Sequence, residues 1–88
     1  MLSLQDVIDY CDLDRGEIDA IAEHEHIPLT LAAEMSEALL STPEGVCQLH
    51  LMFLENIQHA FDAGNFEHAC ELAEAYKHLQ RSHPLIAH

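Results

Sequence analysis

Hydrophobic residues recur along this chain at intervals of three and four positions, which is the spacing of one face of an α-helix. The pattern is clearest near the C-terminus, in the stripe formed by Phe66, Ala69, Ala73 and Tyr76. No stretch keeps the strict alternation of a half-buried strand. The pattern therefore predicts helices over residues 3–11, from Asp12 or Asp14 to about His26, and over 28–41, 43–63 and 66–81.

Helix-breaking and capping residues mark the ends of these segments. Ile27-Pro28 ends one helix, because a residue that precedes proline avoids the α region, and Pro28 suits the first position of the next helix. Ser41-Thr42-Pro43 repeats this arrangement with a hydroxyl cap. Gly64-Asn65 supplies a C-terminal cap followed by an N-cap, and His83-Pro84 closes the last helix.

The short connections predict a compact all-α bundle of about five helices, ending in an antiparallel hairpin formed by the last two. The chain has 88 residues, of which 49% are hydrophobic, and this suffices for the core of one small domain. We therefore expect a single helical domain over residues 1–88, with a loose tail from about residue 83.

Residues 46–54 are apolar on nearly every side of their predicted helix. Such a helix has to be covered on all faces, either by the other helices of the domain or by a second copy of the protein. His50 lies within this run, so we expect a neutral, hydrogen-bonded core imidazole. If His50 lay instead at a dimer seam, its protonation would oppose association.

Acidic residues dominate the charge of the chain. There are 16 Asp and Glu against 3 Lys and Arg, with 8 His, and the formal net charge is −13. Nucleic acids and anionic membrane surfaces both recruit proteins through Lys and Arg, so neither is an expected partner. A basic protein surface or a metal cation is the natural complement of such a charge.

The cysteines and the N-terminus indicate a cytoplasmic protein. Cys11, Cys47 and Cys70 are odd in number and widely spaced, without a Cys-x-x-Cys pair, which is not the pattern of a disulfide framework. The first residues lack the basic and apolar regions of a signal peptide. No segment has the length of a transmembrane helix.

Histidine and glutamate side chains at helical spacing form the sharpest candidate for a binding site. Glu55 and His59 are four residues apart on one predicted helix, and His68 and Glu71 are three apart on the next. His59 and His68 lie at similar distances from the Gly64-Asn65 turn, so an antiparallel hairpin can bring them together. Two imidazoles and two carboxylates would suit zinc or another borderline divalent ion. The alternative is two solvated helix faces with ordinary Glu–His pairs.

His24 and His26 form a second candidate for metal ligation, within Glu23-His24-Glu25-His26. On a regular helix, residues two apart point about 200° away from each other. These two histidines therefore share an ion only if the helix frays before Ile27. The alternative is a polar helix end in which His26 interacts with the helix dipole.

We find no complete catalytic motif and expect no enzyme. Carboxylates are abundant, but none occupies an apolar stretch of sequence that would raise its pKa. The leading hypothesis is a small, acidic, self-associating interaction domain that binds a basic protein partner. The alternative is a divalent-metal binding or sensing protein that uses histidine and carboxylate ligands.

Overall fold

A computed structural model describes residues 13–85 of the chain. Within that range there are four α-helices and no strand: α1 Arg15–Glu25, α2 Leu29–Leu40, α3 Pro43–Asp62 and α4 Phe66–Ser82. The prediction of an all-helical fold is confirmed for this part of the chain. The helix predicted over residues 3–11 and the end of the tail, 86–88, lie outside the described residues. None of the four helices is long and apolar enough to cross a bilayer.

A side-chain cap and a left-handed residue set the bounds of α1. The side chain of Asp14 accepts a hydrogen bond from the Glu17 backbone N at 3.0 Å, which makes Asp14 the N-cap. The helix ends one residue before His26, which adopts the left-handed conformation with φ 57°. Pro28 is the N-cap of α2 rather than its first residue as predicted, because its ψ of 155° is extended.

The caps of α3 and α4 follow the pattern expected from the sequence. Thr42 Oγ1 accepts from the Gly45 backbone N at 3.0 Å at the start of α3. Gly64 has a φ of 78°, a conformation that glycine adopts without steric cost. Asn65 Oδ1 then accepts from the His68 backbone N at 3.3 Å and begins α4. The turn between the two helices is therefore only three residues long.

α3 is the longest helix and, like α1, packs against each of the other three. It runs alongside α4 in the opposite direction. Phe61 contacts Phe66 close to the turn, and Phe53 stacks on Tyr76 farther along, with ring centroids 5.8 Å apart. All four helices contribute buried apolar side chains to one core, among them Ile18, Ile21, Ala32, Ala33, Leu49, Met52, Phe53, Leu72 and Leu79.

His50 lies in this core, with 2% of its surface exposed. Its Nε2–H donates to the backbone carbonyl of His83 at 2.8 Å. A carbonyl oxygen only accepts, so Nε2 carries a proton, and Nδ1 pairs with the Tyr76 hydroxyl at 3.1 Å. His50 is therefore a core group that joins α3 to the end of α4, and it does not face an exposed seam.

Gly45 allows α2 and α3 to approach each other closely. It is buried, and a Cβ built on it would lie 1.9 Å from the carbonyl oxygen of Leu39. The obstructing atoms belong to the backbone, which cannot rotate aside as a flexible side chain does. Any larger residue at this position would force the two helices apart.

We expect Gly45→Ala to lower the free energy of unfolding by about 2–3 kcal/mol, because the added methyl group overlaps the Leu39 backbone. Gly16→Ala is the matched control. Its Cβ would make ordinary contacts at 3.5 Å with Asp14 Oδ1 and 3.6 Å with Ala75 Cβ, so it should be neutral or slightly stabilising. Urea unfolding followed by circular dichroism measures both, and equal stabilities for the two variants would contradict the assignment.

Candidate functional site

The start of α1 faces the last turns of α4, and three ionisable side chains meet there. These are Asp14, Glu17 and His78, which we call the carboxylate–imidazole cluster. One nitrogen or carboxylate oxygen from each residue lies within 4.8 Å of the other two. His78 Nδ1 makes a short hydrogen bond with Glu17 Oε1 and lies 3.6 Å from Asp14 Oδ2. Within residues 13–85, no other three histidine, cysteine or acidic side chains converge this closely.

The local fold explains why these groups meet. Asp14 uses Oδ1 to cap α1, which leaves Oδ2 free to face His78. Glu17 occupies the third helical position, on the side of α1 that is buried together with Ile18 and Ile21. The side chain of Glu17 is 0% exposed, whereas those of Asp14 and His78 are 50% and 46% exposed. A fully buried carboxyl group thus lies beside two partly exposed partners.

Burial changes the acidity of Glu17. Loss of solvent raises the pKa of its carboxyl group from 4.5 to about 7, the hydrogen bond from His78 opposes this rise, and the negative charge of Asp14 adds to it. The short contact places one proton between the ring nitrogen of His78 and the carboxyl oxygen of Glu17. Either the ring N–H donates to the carboxylate or the carboxyl O–H donates to the ring nitrogen.

This site corrects the expectation that no carboxylate lies in an apolar environment. Glu17 lies in the first turn of α1, and its side chain is buried against the core. The signal in the sequence was its position on the helix. Leu13, Glu17, Ala20 and Ile21 follow the spacing of one buried stripe, and Glu17 takes a place where an apolar residue is normal.

One atom of the cluster has no partner within the described residues. Oε2 of Glu17 is buried and makes no hydrogen bond, while Oε1 is engaged by His78. Leaving a buried carboxyl oxygen unpaired costs free energy, typically about 1–3 kcal/mol. Such groups are uncommon in native proteins and call for an explanation.

Four of the six metal ligands predicted from the sequence line one cleft between α1 and α3. The cleft has a volume of about 250 Å³, and its walls include the predicted ligands Glu55, His59, His24 and His26, together with Glu23 and Asn56. His24 and His26 reach the same cleft because the helix ends at Glu25 and His26 turns into the left-handed region. In the described part of the chain, however, no three of the histidine and acidic side chains that line this cleft bring their ligand atoms within 4.8 Å of one another.

The other two predicted ligands, His68 and Glu71, lie in a separate cleft of about 140 Å³ between α1 and α4. His68 Nε2 lies 2.5 Å from Glu23 Oε1, and His24 Nε2 lies 3.3 Å from Glu55 Oε1. We call the predicted ligand set on α3 and α4 the hairpin quartet. Its α3 half contacts α1 through Glu55, and its α4 half contacts α1 through His68, so the two halves do not meet. The described structure does not bring Glu55, His59, His68 and Glu71 into a single cluster.

No family model matches the sequence, and no curated protein or solved structure matches it.

We expect Glu17→Gln to remove a pH dependence of stability. The folded-state pKa of about 7 exceeds the value of 4.5 expected in the unfolded chain. As the pH rises between these values, the unfolded state ionises first and the folded state loses stability. Between about pH 5 and about pH 8, the free energy of unfolding of Glu17→Gln should therefore rise by roughly 2–3 kcal/mol relative to that of the wild type.

Urea unfolding at a series of pH values measures this difference. Glu34→Gln is the control, because Glu34 is exposed on α2 and its charge is lost without any change in the cluster. It also corrects for the general repulsion among acidic side chains. A Glu17→Gln profile parallel to that of the wild type would show that Glu17 ionises normally.

Proposed function

We propose that this domain is an interaction module whose exposed face on α3 binds a basic amphipathic helix of a partner protein. The observation that carries the proposal is a row of side chains along the outer face of α3. This α3 row consists of Cys47, Leu51, Leu54, Gln58 and Phe61, and all five are exposed.

The α3 row is apolar to an unusual degree for a surface. Leu51, Leu54 and Phe61 are 54%, 47% and 59% exposed. Phe66, at the start of α4, is 57% exposed and packs edge-to-face on Phe61 with ring centroids 5.1 Å apart, which widens the apolar surface. Contiguous exposed apolar surface of this kind is typical of interaction sites.

The spacing of the row favours a helix as the binding partner. Successive members are four, three, four and three residues apart, which is the repeat of a coiled-coil seam. A second helix laid along α3 can insert its apolar side chains between those of the row. This spacing runs through most of the length of α3, so the docked helix would contact it over about four turns.

The charge around the row favours a basic partner over a second copy of this chain. Glu44, Glu55 and Asp62 are exposed along one edge of the row. Two copies meeting through α3 would bring chains of net charge −13 together, whereas a helix flanked by lysines would gain favourable pairs. Self-association, the other occupant expected from the sequence, is the competing outcome in the experiment.

We expect a synthetic helix with a leucine stripe flanked by lysines to bind the domain, and Leu54→Gln to weaken that binding roughly tenfold, or about 1.4 kcal/mol. The matched control is Leu31→Gln, because Leu31 is 50% exposed on α2 and lies outside the row. A peptide of the same composition with the stripe scrambled controls for simple attraction between opposite charges. Fluorescence anisotropy gives the affinities.

Sedimentation equilibrium on the same variants distinguishes a helical partner protein from a second copy of this chain as the binding partner of the α3 row. A monomer that binds the striped peptide better than the scrambled one, with loss in Leu54→Gln alone, supports a heterologous helical partner. A wild-type dimer that Leu54→Gln converts to monomer assigns the row to a second copy. Equal affinity for both peptides would refute a helix-docking surface.

A second candidate function is binding of a divalent transition metal, supported by the cleft between α1 and α3. Three imidazoles, from His24, His26 and His59, line this cleft together with the carboxylates of Glu23 and Glu55. Nitrogen and oxygen ligands in this combination suit zinc. The set differs from the hairpin quartet, because His24 and His26 take the places of His68 and Glu71.

Zinc titration calorimetry distinguishes the two ligand sets. Binding through the cleft between α1 and α3 predicts that His59→Ala removes one zinc per chain while His68→Ala leaves it in place. Binding through the hairpin quartet predicts that either substitution removes it. If neither substitution changes the zinc stoichiometry, these histidines are not metal ligands.

A further inference from the structure

We propose that the carboxylate–imidazole cluster of Asp14, Glu17 and His78 binds a divalent transition-metal ion of the zinc type. This site is separate from the α3 row and from both clefts that contain the ligands predicted from the sequence. It does not depend on the function proposed above.

The three side chains are already close to the arrangement that a metal requires. Ligand atoms around one tetrahedral zinc lie about 3.4 Å apart, since each sits about 2.1 Å from the ion. His78 Nδ1 and Asp14 Oδ2 are 3.6 Å apart, and all three ligand atoms lie within 4.8 Å of one another. An ion would take the place of the short contact between His78 and Glu17, so the partly exposed ring of His78 would move away from Glu17 Oε1 to admit it.

An independent observation points to a ligand at this position. Glu17 is fully buried, yet its Oε2 has no hydrogen-bond partner in the described part of the chain. An ion held by the carboxylate would supply the missing interaction and would also compensate for the buried negative charge. The positive end of the α1 dipole repels a cation at this position. The attraction of the ion to two carboxylates outweighs that repulsion, because each carboxylate contributes a full negative charge.

The donor set selects the class of ion. Two carboxylate oxygens and one imidazole nitrogen suit zinc and its neighbours in the first transition row. Calcium and magnesium prefer oxygen ligands alone, and they are disfavoured by His78. The exposed sides of Asp14 and His78 give solvent access to the remaining coordination position, as in zinc sites that are not closed by protein ligands.

A bound ion would join two distant parts of the chain. Glu17 and His78 are separated by 61 positions in sequence, and they belong to the first and last of the described helices. An ion that binds only the folded chain raises its stability in proportion to the logarithm of its concentration. Metal binding at the cluster would therefore lock the start of α1 onto the end of α4.

Zinc titration calorimetry and thermal unfolding test the proposal on four variants of the full chain. Glu17→Gln and His78→Gln should each lower the zinc affinity at least tenfold and abolish the zinc-dependent rise in melting temperature. Glu74→Gln is the matched acidic control, because Glu74 lies one turn before His78 with its side chain 73% exposed. His59→Gln separates this site from the cleft between α1 and α3, because it removes a ligand proposed for that cleft and should leave the zinc-dependent shift of the His78 ring signals in place. Glu74→Gln should bind zinc as the wild type does.

Glutamine at position 17 keeps the shape of the protonated glutamate, so the metal-free variant should remain folded. NMR of the histidine rings in the wild type gives a readout that does not require any variant. Stoichiometric zinc should shift the ring signals of His78. Zinc that leaves the His78 ring unshifted, or that is lost only in His59→Gln, would overturn the proposal.

Discussion

α3 is a long and largely apolar helix, and the need to cover it organises the rest of the fold. Tyr76 of α4 packs on Phe53 and hydrogen-bonds His50, while Asn56 donates to the Ala20 carbonyl of α1 at 2.7 Å. α2 closes a third side through its close approach at the start of α3. α1, α2 and α4 cover three sides of α3. In the described part of the chain the remaining side of α3, which carries the α3 row, is exposed.

The packing of α1 also explains why the carboxyl group of Glu17 is buried. α1 packs its apolar side chains Ile18 and Ile21 into the core and contacts α4, and its first turn meets His78. The carboxylate of Asp14 makes two contacts: Oδ1 caps α1 and Oδ2 faces the imidazole of His78. Glu17 has no such freedom, since both its backbone and its side chain are enclosed. The burial of Glu17 thus follows from a helix position that is fixed by packing.

Local chemistry made the helices predictable, whereas contacts between distant segments could not be read from the sequence. Gly64-Asn65 predicts the turn between α3 and α4 because its backbone preference is strong and acts over a few residues. The partners of Glu55 and His68 depend on where α1 lies, and nothing in the spacing along the hairpin indicates that α1 contacts both. Glu17 was missed for a related reason. A polarity pattern classes every glutamate as a surface residue, although the helical spacing had already placed this one in a buried stripe.

The few positive side chains are all committed to close neighbours. Arg15 lies 3.9 Å from Asp19, Lys77 lies 3.4 Å from Glu74, and Arg81 donates to the backbone carbonyl of Lys77. None of them links separate helices, so the excess of negative charge is balanced by dissolved cations rather than by the protein. At physiological ionic strength those cations screen charges over about 8 Å, less than the radius of this domain. Dissolved salt therefore weakens the repulsion among the acidic side chains of the folded domain, so its concentration is one of the conditions that set the stability of this fold.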